Sequence, residues 1–318
     1  MSRALELQEE AFSVIEEHVP KLIGELRELS EIYLKQTPPI VVRRPSKLEG
    51  RENMMFELQT KFPKAISHKT ADILTNLRKP LEWVVSAVAD VSERTQGLNV
   101  TFISGESLEQ LDQRIKDKKI ANWSPELVRM FRAIRVAKKP DLLYELSNVD
   151  LRERHRRLGG LSLSASRMEE CWPSTHLLEI FEKWSGEGPP ILFYDHGPIF
   201  NMPEDGLLLY SLPIGAPEVA EFAYDFHPTI PGFNYPFCYW NSVEILEQMR
   251  QQVWHFVVGG IMVVDWIERG RPPWGTTLPS PEFLHLLTFR GSYLFEDKAW
   301  DWGKGFPGYP EFVPPLSR

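Results

Sequence analysis

Apolar residues recur at helical spacing along several long stretches of the chain, and shorter alternating runs lie between them. In residues 65–93, Leu74, Leu77, Leu81, Val84, Val88 and Val91 follow one another by steps of three and four. Such steps line up along one side of a helix, so this stretch predicts a central helix with a buried stripe. Pro80 lies inside it without an N–H and in conflict with the carbonyl of Asn76, which predicts a kink or a restart. Residues 3–35 carry Leu5, Ala11, Val14, Ile15, Val19, Leu22, Ile23, Leu26, Leu29 and Ile32 at helical spacing, with Pro20 expected to bend or split the helix. Further helices are expected at 106–117, 124–135, 141–158 and 240–268. Ser124-Pro125-Glu126 is a coherent helix start, Asp141 can cap the next helix, and Gly159-Gly160 can end it. In the last helix Val243, Ile245, Leu246, Met249, Val253, Phe256 and Val257 form the buried side.

Ile40-Val41-Val42 and Met54–Leu58, separated by the polar turn EGREN, predict a small hairpin before the central helix. Residues 100–104 read as one extended piece, and 161–165, 191–194, 207–212 and 219–226 as strands between Pro- and Gly-containing turns. The expected fold is α+β and mainly helical, a helix bundle with small antiparallel β-hairpins. The expected organisation is a helical bundle with an inserted hairpin over 1–160, then hairpins and a long closing helix over 161–270. A Pro/Trp-rich arm, 271–318, follows. With Trp274, Trp300 and Trp302 it is too aromatic for a disordered tail, and it is expected to wrap over the body or a neighbouring subunit, making a homo-oligomer.

The formal net charge of −8 argues against a protein that coats DNA by charge alone, while leaving room for a local basic patch. The two cysteines, Cys171 and Cys238, form no CxxC pair, and the histidines show no metal-ligand spacing. Walker A, GxSxG and GxGxxG patterns are absent, so neither a metal nor a cofactor is expected. The start MSRALELQEEAF has no apolar h-region. Residues 253–267 are too short to span a membrane comfortably and contain His255 and Asp265. The expected location is therefore cytoplasmic, with no membrane partner.

Two stretches carry candidate chemistry. In LLYELSNVDLRERHRRL, residues 142–158, a helix would place Asn148, Arg152 and His155 on one side, away from Leu142, Leu146 and Val149, while Asp150 can pair with Arg154. A histidine beside an arginine suits metal-independent RNA cleavage. The imidazole shuttles a proton between the 2′-hydroxyl and the leaving oxygen, and the guanidinium stabilises transition-state charge. With Arg156 and Arg157 the segment offers phosphate contacts; the same cations also suit a solvated helix C-terminus. On the central helix, Arg78 and Glu82 lie four residues apart and can pair, either as a binding element or as the solvated flank of a core helix.

TNLRKPLEW and LYELSNVDLRERHRRL together resemble a family of uncharacterised bacterial proteins that carry an H-N-L-R-S-A-L-D-H helix followed by an L-S-N-I-D-K-H-R segment. The likeness covers about residues 60–160, including VTFISGESLEQLDQRI and WSPELVRMF between the motifs, and the rest in outline. The arginine–four residues–histidine spacing of that family's first motif is similar to the helical HEPN ribonuclease and nucleotide-binding superfamily. The resemblance and the basic segment together imply an RNA-associated protein with RNA as partner, His155, Arg152 and Asn148 as catalytic residues, and Arg78, Glu82, Asp150 and Arg156 in binding. This chain departs from the pattern: Trp83 stands where the first motif ends in histidine, Pro80 replaces a small residue, and three extra residues precede His155 and Arg156. Either it is an inactive, binding-only relative, or His155 supplies the proton transfer from a different helix. A non-enzymatic helical scaffold or oligomeric interaction protein is the alternative expectation.

Overall fold

The computed structural model describes residues 2–61, 63–92, 101–120, 124–136, 142–147, 162–171, 180, 182–183, 189, 191–193, 199–201, 206–216, 221–230 and 241–270. The fold is α+β and mainly helical, as the periodicity predicts. In chain order the elements are α1 (Arg3–Phe12), a π-helical turn (Ser13–His18), α2 (Val19–Gln36), β1 (Ile40–Pro45), β2 (Arg51–Glu57), α3 (Lys64–Val91), α4 (Leu108–Asp117) and α5 (Pro125–Val136). Then come β3 (Ser162–Cys171), β4 (Leu192–Phe193), β5 (Ile199–Asn201), β6 (Leu207–Pro213), β7 (Glu221–Thr229) and α6 (Ser242–Glu268). Residues 142–147 are also helical. The chain divides into two compact units, Met1–Ile23 with Ala71–Arg156 and Leu246–Arg318, and Gly24–Thr70 with Arg157–Ile245.

The first unit is helical in all its regular described elements. On α3, Leu74, Leu77, Leu81, Val84 and Val88 are buried as the stripe requires, and the helix continues through Pro80. On α6 every residue expected on the inner side is buried. The two helices make a close approach at Gly260, where a Cβ would lie 2.3 Å from Val84 Cγ1. Helix starts are closed by side chains, as their orphan N–H groups demand. Ser107 Oγ accepts from Gln110 N–H, and Ser124 Oγ from Leu127 N–H with Pro125 in the first turn. The first turn of α1 is served by Glu268, which accepts from the backbone N–H of Arg3 (2.8 Å) and of Ala4 (3.4 Å). That carboxylate also matches the positive end of the α1 dipole.

Pro20 acts through the turn before it. Within the π-helical segment the N–H of Val19 bonds back five residues to the carbonyl of Val14. The next bond in that series would run from residue 20 to the carbonyl of Ile15, and proline has no N–H to give. Arg250 takes the vacant role, with Nη1 3.4 Å from Ile15 O. Its guanidinium also meets Glu16 (3.3 Å) and bonds to Glu247. Burial opposes the Arg250 charge, but the hydrogen bonds and charges of Glu247 and Glu16 outweigh it and hold the group above its ordinary pKa. The expected stripe on α2 needs one correction: Ile32 is 51% exposed. It lies two residues beyond buried Ser30, a rotation of about 200° at 3.6 residues per turn.

The second unit holds both sheets. Strand order is β1-β2-β6-β4 in one and β5-β3-β7 in the other, with every neighbouring pair antiparallel. The hairpin before α3 is present as β1 and β2, with Ile40 opposite Glu57 and Pro45 opposite Glu52. It does not stand alone, because β2 continues into β6, far along the chain, with Arg51 opposite Pro213. The core of this unit gathers Met54, Phe56, Ile191, Leu209, Tyr210 and Leu212. Buried Arg51 bonds β2 to its surroundings through Ser211 O (3.0 Å) and Pro189 O (2.9 Å), giving the enclosed guanidinium the acceptors it needs.

Candidate functional site

The expected site residues fall into two groups. Asn148, Asp150, Arg152, His155 and Arg156 lie outside the described residues, as do Gly159-Gly160, Trp274, Trp300 and Trp302. The helix expected to carry the first five is described over 142–147, with Leu142, Leu143 and Leu146 buried and Leu142 N–H bonded to Gln252 Oε1 at 3.1 Å.

Arg78 and Glu82 are described, and the i,i+4 spacing on α3 brings them together. Glu82 Oε1 accepts from Arg78 Nε (3.2 Å) and Nη2 (3.1 Å). The other carboxylate oxygen, Oε2, accepts from the backbone N–H of Phe102 at 2.7 Å. Both oxygens are thus engaged, one within the helix and one with the segment 101–104. That bond seats Phe102 in an aromatic trio, edge-on to Phe131 (5.8 Å between ring centroids) and to Phe256 (5.3 Å). Arg114 adds a hydrogen bond from Nη1 to Ser104 O. Chemically the arrangement is a clamp: a charge-assisted hydrogen bond fixes irregular backbone against a helix so that its aromatic side chain enters the core. Asn76 is likewise occupied locally, donating to Asp72 O and accepting from Lys79 Nζ.

The second unit contains a groove of about 620 Å³ that sequence reasoning did not anticipate. One wall is α2, which contributes Arg27, Glu31 and Lys35 at four-residue intervals and so on one side of the helix. Further lining comes from β7, with Phe226, His227 and Pro228, and from the start of α6, with Asn241, Val243 and Glu244. Of the lining, Arg27, Glu31, Lys35 and Glu244 are exposed, whereas Ser30, His227 and Val243 are buried. Among the described residues none of the four charged groups has an ion-pair partner. Asn241 caps α6: its Oδ1 accepts from Val243 N–H (2.9 Å), and its carbonyl from Ile245 N–H (3.0 Å). The four-residue rhythm of Arg27, Glu31 and Lys35 was visible in the sequence. Their meeting with His227 and Glu244 depends on tertiary structure.

Among the described residues, no group of three or more His, Cys, Asp or Glu side chains could hold a metal ion, and no helix is long and apolar enough to cross a membrane. Comparison of the chain with protein families, curated proteins and solved structures finds no match.

Proposed function

We propose that this chain works by binding rather than by catalysis, as a helical interaction protein whose HEPN-like first motif serves its own scaffold. The observation that carries this reading is the engagement of Glu82. Its carboxylate holds Arg78 with one oxygen and the Phe102 backbone with the other, leaving the pair committed to internal structure. Trp83, where the similar family has its histidine, removes the proton shuttle from the same helix. The rival reading keeps RNA as the partner and places a ribonuclease centre on Asn148, Arg152 and His155.

Incubation of a structured RNA pool with the protein in EDTA separates the two, with His155→Ala and Arg152→Ala alongside. The binding reading expects no cleavage by the wild type. Cleavage that disappears in both variants, with circular dichroism unchanged, would overturn it in favour of a metal-independent nuclease.

A further inference from the structure

We propose that the groove between α2, β7 and the start of α6 is a binding site for a short, extended, zwitterionic peptide. The proposal rests on the binding reading above and names the ligand for it. Its volume, about 620 Å³, falls within the usual range for ligand sites. Arg27 to Lys35 spans eight residues of helix, a rise of about 12 Å, which matches roughly four residues of extended chain.

Charge selects the class of ligand. Two cations, Arg27 and Lys35, are offset by two carboxylates, Glu31 and Glu244, so the lining is formally neutral apart from His227. A polyanion such as RNA would meet both carboxylates, and a polycation both basic groups. A wholly apolar ligand would desolvate four charges without pairing any of them. A molecule carrying both signs can pair with one group of each sign. Its carboxylate pairs with Lys35 on α2, and its ammonium with Glu244 on α6. Among the described residues none of the four groups has an ion-pair partner, although Arg27–Glu31 and Glu31–Lys35 have the spacing to pair. Leu34, Phe226 and Val243 in the same lining offer apolar contact to side chains. Asn241, with its oxygen committed to the helix cap, keeps its amide N–H groups as donors for a peptide carbonyl.

Equilibrium dialysis of the full chain against a mixture of free-ended tetrapeptides, read by mass spectrometry, tests this. The same mixture with acetylated and amidated ends forms a second arm, and a single-stranded RNA oligonucleotide a third. Free-ended peptides should be retained, blocked ones released, and retention should weaken about tenfold in Glu244→Gln and in Lys35→Gln. These positions are exposed, so the variants keep the fold, which circular dichroism verifies. No retention, retention indifferent to end-blocking or to both variants, or RNA binding lost in those variants would each overturn the proposal. Failure here without RNA cleavage removes only the groove's ligand, whereas RNA cleavage dependent on His155 removes the binding reading itself.

Discussion

Gly260→Ala provides a quantitative test of the approach between α3 and α6. A Cβ on Gly260 would lie 2.3 Å from Val84 Cγ1, 3.0 Å from Cγ2 and 3.2 Å from Cβ. Carbon pairs prefer about 3.5–4.0 Å, so the nearest contact is short by more than ~1 Å. Val84 is fully buried and, being β-branched on a helix, has one strongly favoured rotamer, so it cannot turn both methyls away. Overpacking of this kind costs about 1–3 kcal/mol, and the severity here points to the upper part of that range. Against it stands a gain of about 1 kcal/mol for alanine over glycine in a helix interior. The expected net loss is about 2 kcal/mol. Val84→Ala alone deletes two buried methyls and should also cost about 2 kcal/mol. In the double variant the new methyl enters the space that Val84 vacates, so the loss should fall at least ~2 kcal/mol short of the sum. Urea unfolding followed by far-UV circular dichroism measures all three. Additive losses, or a Gly260→Ala protein more stable than wild type, would refute the packing described.

The clamp and the β1–β2 hairpin make further predictions. Glu82→Ala removes the acceptor of Phe102 N–H and the partner of Arg78, and should cost about 2–3 kcal/mol. Glu82→Gln, which retains an acceptor, should cost less than half as much; equal loss of hydrogen-exchange protection at Phe102 in the two variants would contradict the role given to Oε2. On the exposed face of the β1–β2 hairpin, Arg44 holds the Glu57 carboxyl below its ordinary pKa, first by a hydrogen bond and then by its charge, against slight desolvation. Because the folded pKa is the lower one, the pair's contribution is complete above the unfolded value and lost as pH falls through the folded value. An NMR titration should place the Glu57 midpoint below the ordinary glutamate value and return it upward in Arg44→Gln. A wild-type midpoint at or above the ordinary value would count against the pairing.

What could be read in advance was the part of the structure governed by neighbours in sequence. Three- and four-residue steps located α3 and α6, Ser124-Pro125 located the start of α5, and the spacing of Arg78 and Glu82 announced their pairing. What escaped was decided by partners far along the chain. Nothing local to Arg51–Glu57 indicates that β2 will pair with Leu207–Pro213, since register between remote strands is set by the assembled core. The bond from Phe102 to Glu82 belongs to the same class, since it ties the local i,i+4 pair to backbone twenty residues further along the chain. The groove escaped for a related reason: His227 looks solitary in sequence and comes to share a groove lining with charged residues of α2 and α6 only in the folded chain. Ile32 was misplaced because a periodicity spread over many residues tolerates a position that the actual helix turns outward.

The π-helical turn gives the first helices a length tolerance. From Leu7 through Ala11 and Ile15 to Val19, the buried positions advance by three steps of four, twelve residues where three α-helical turns need about 10.8. The segment therefore stores roughly one surplus residue. Deleting exposed Glu17 would let the chain close as ordinary α-helix with the inward faces on both sides still in phase. Ile15 would then stand four residues before the proline instead of five, so its carbonyl would still lack a backbone donor and Arg250 would still supply one. A deletion elsewhere in α1 or α2 would rotate everything beyond it by about 100° and turn the buried stripe outward. Ser13–His18 is the place where this helix can change length by one residue and keep its core.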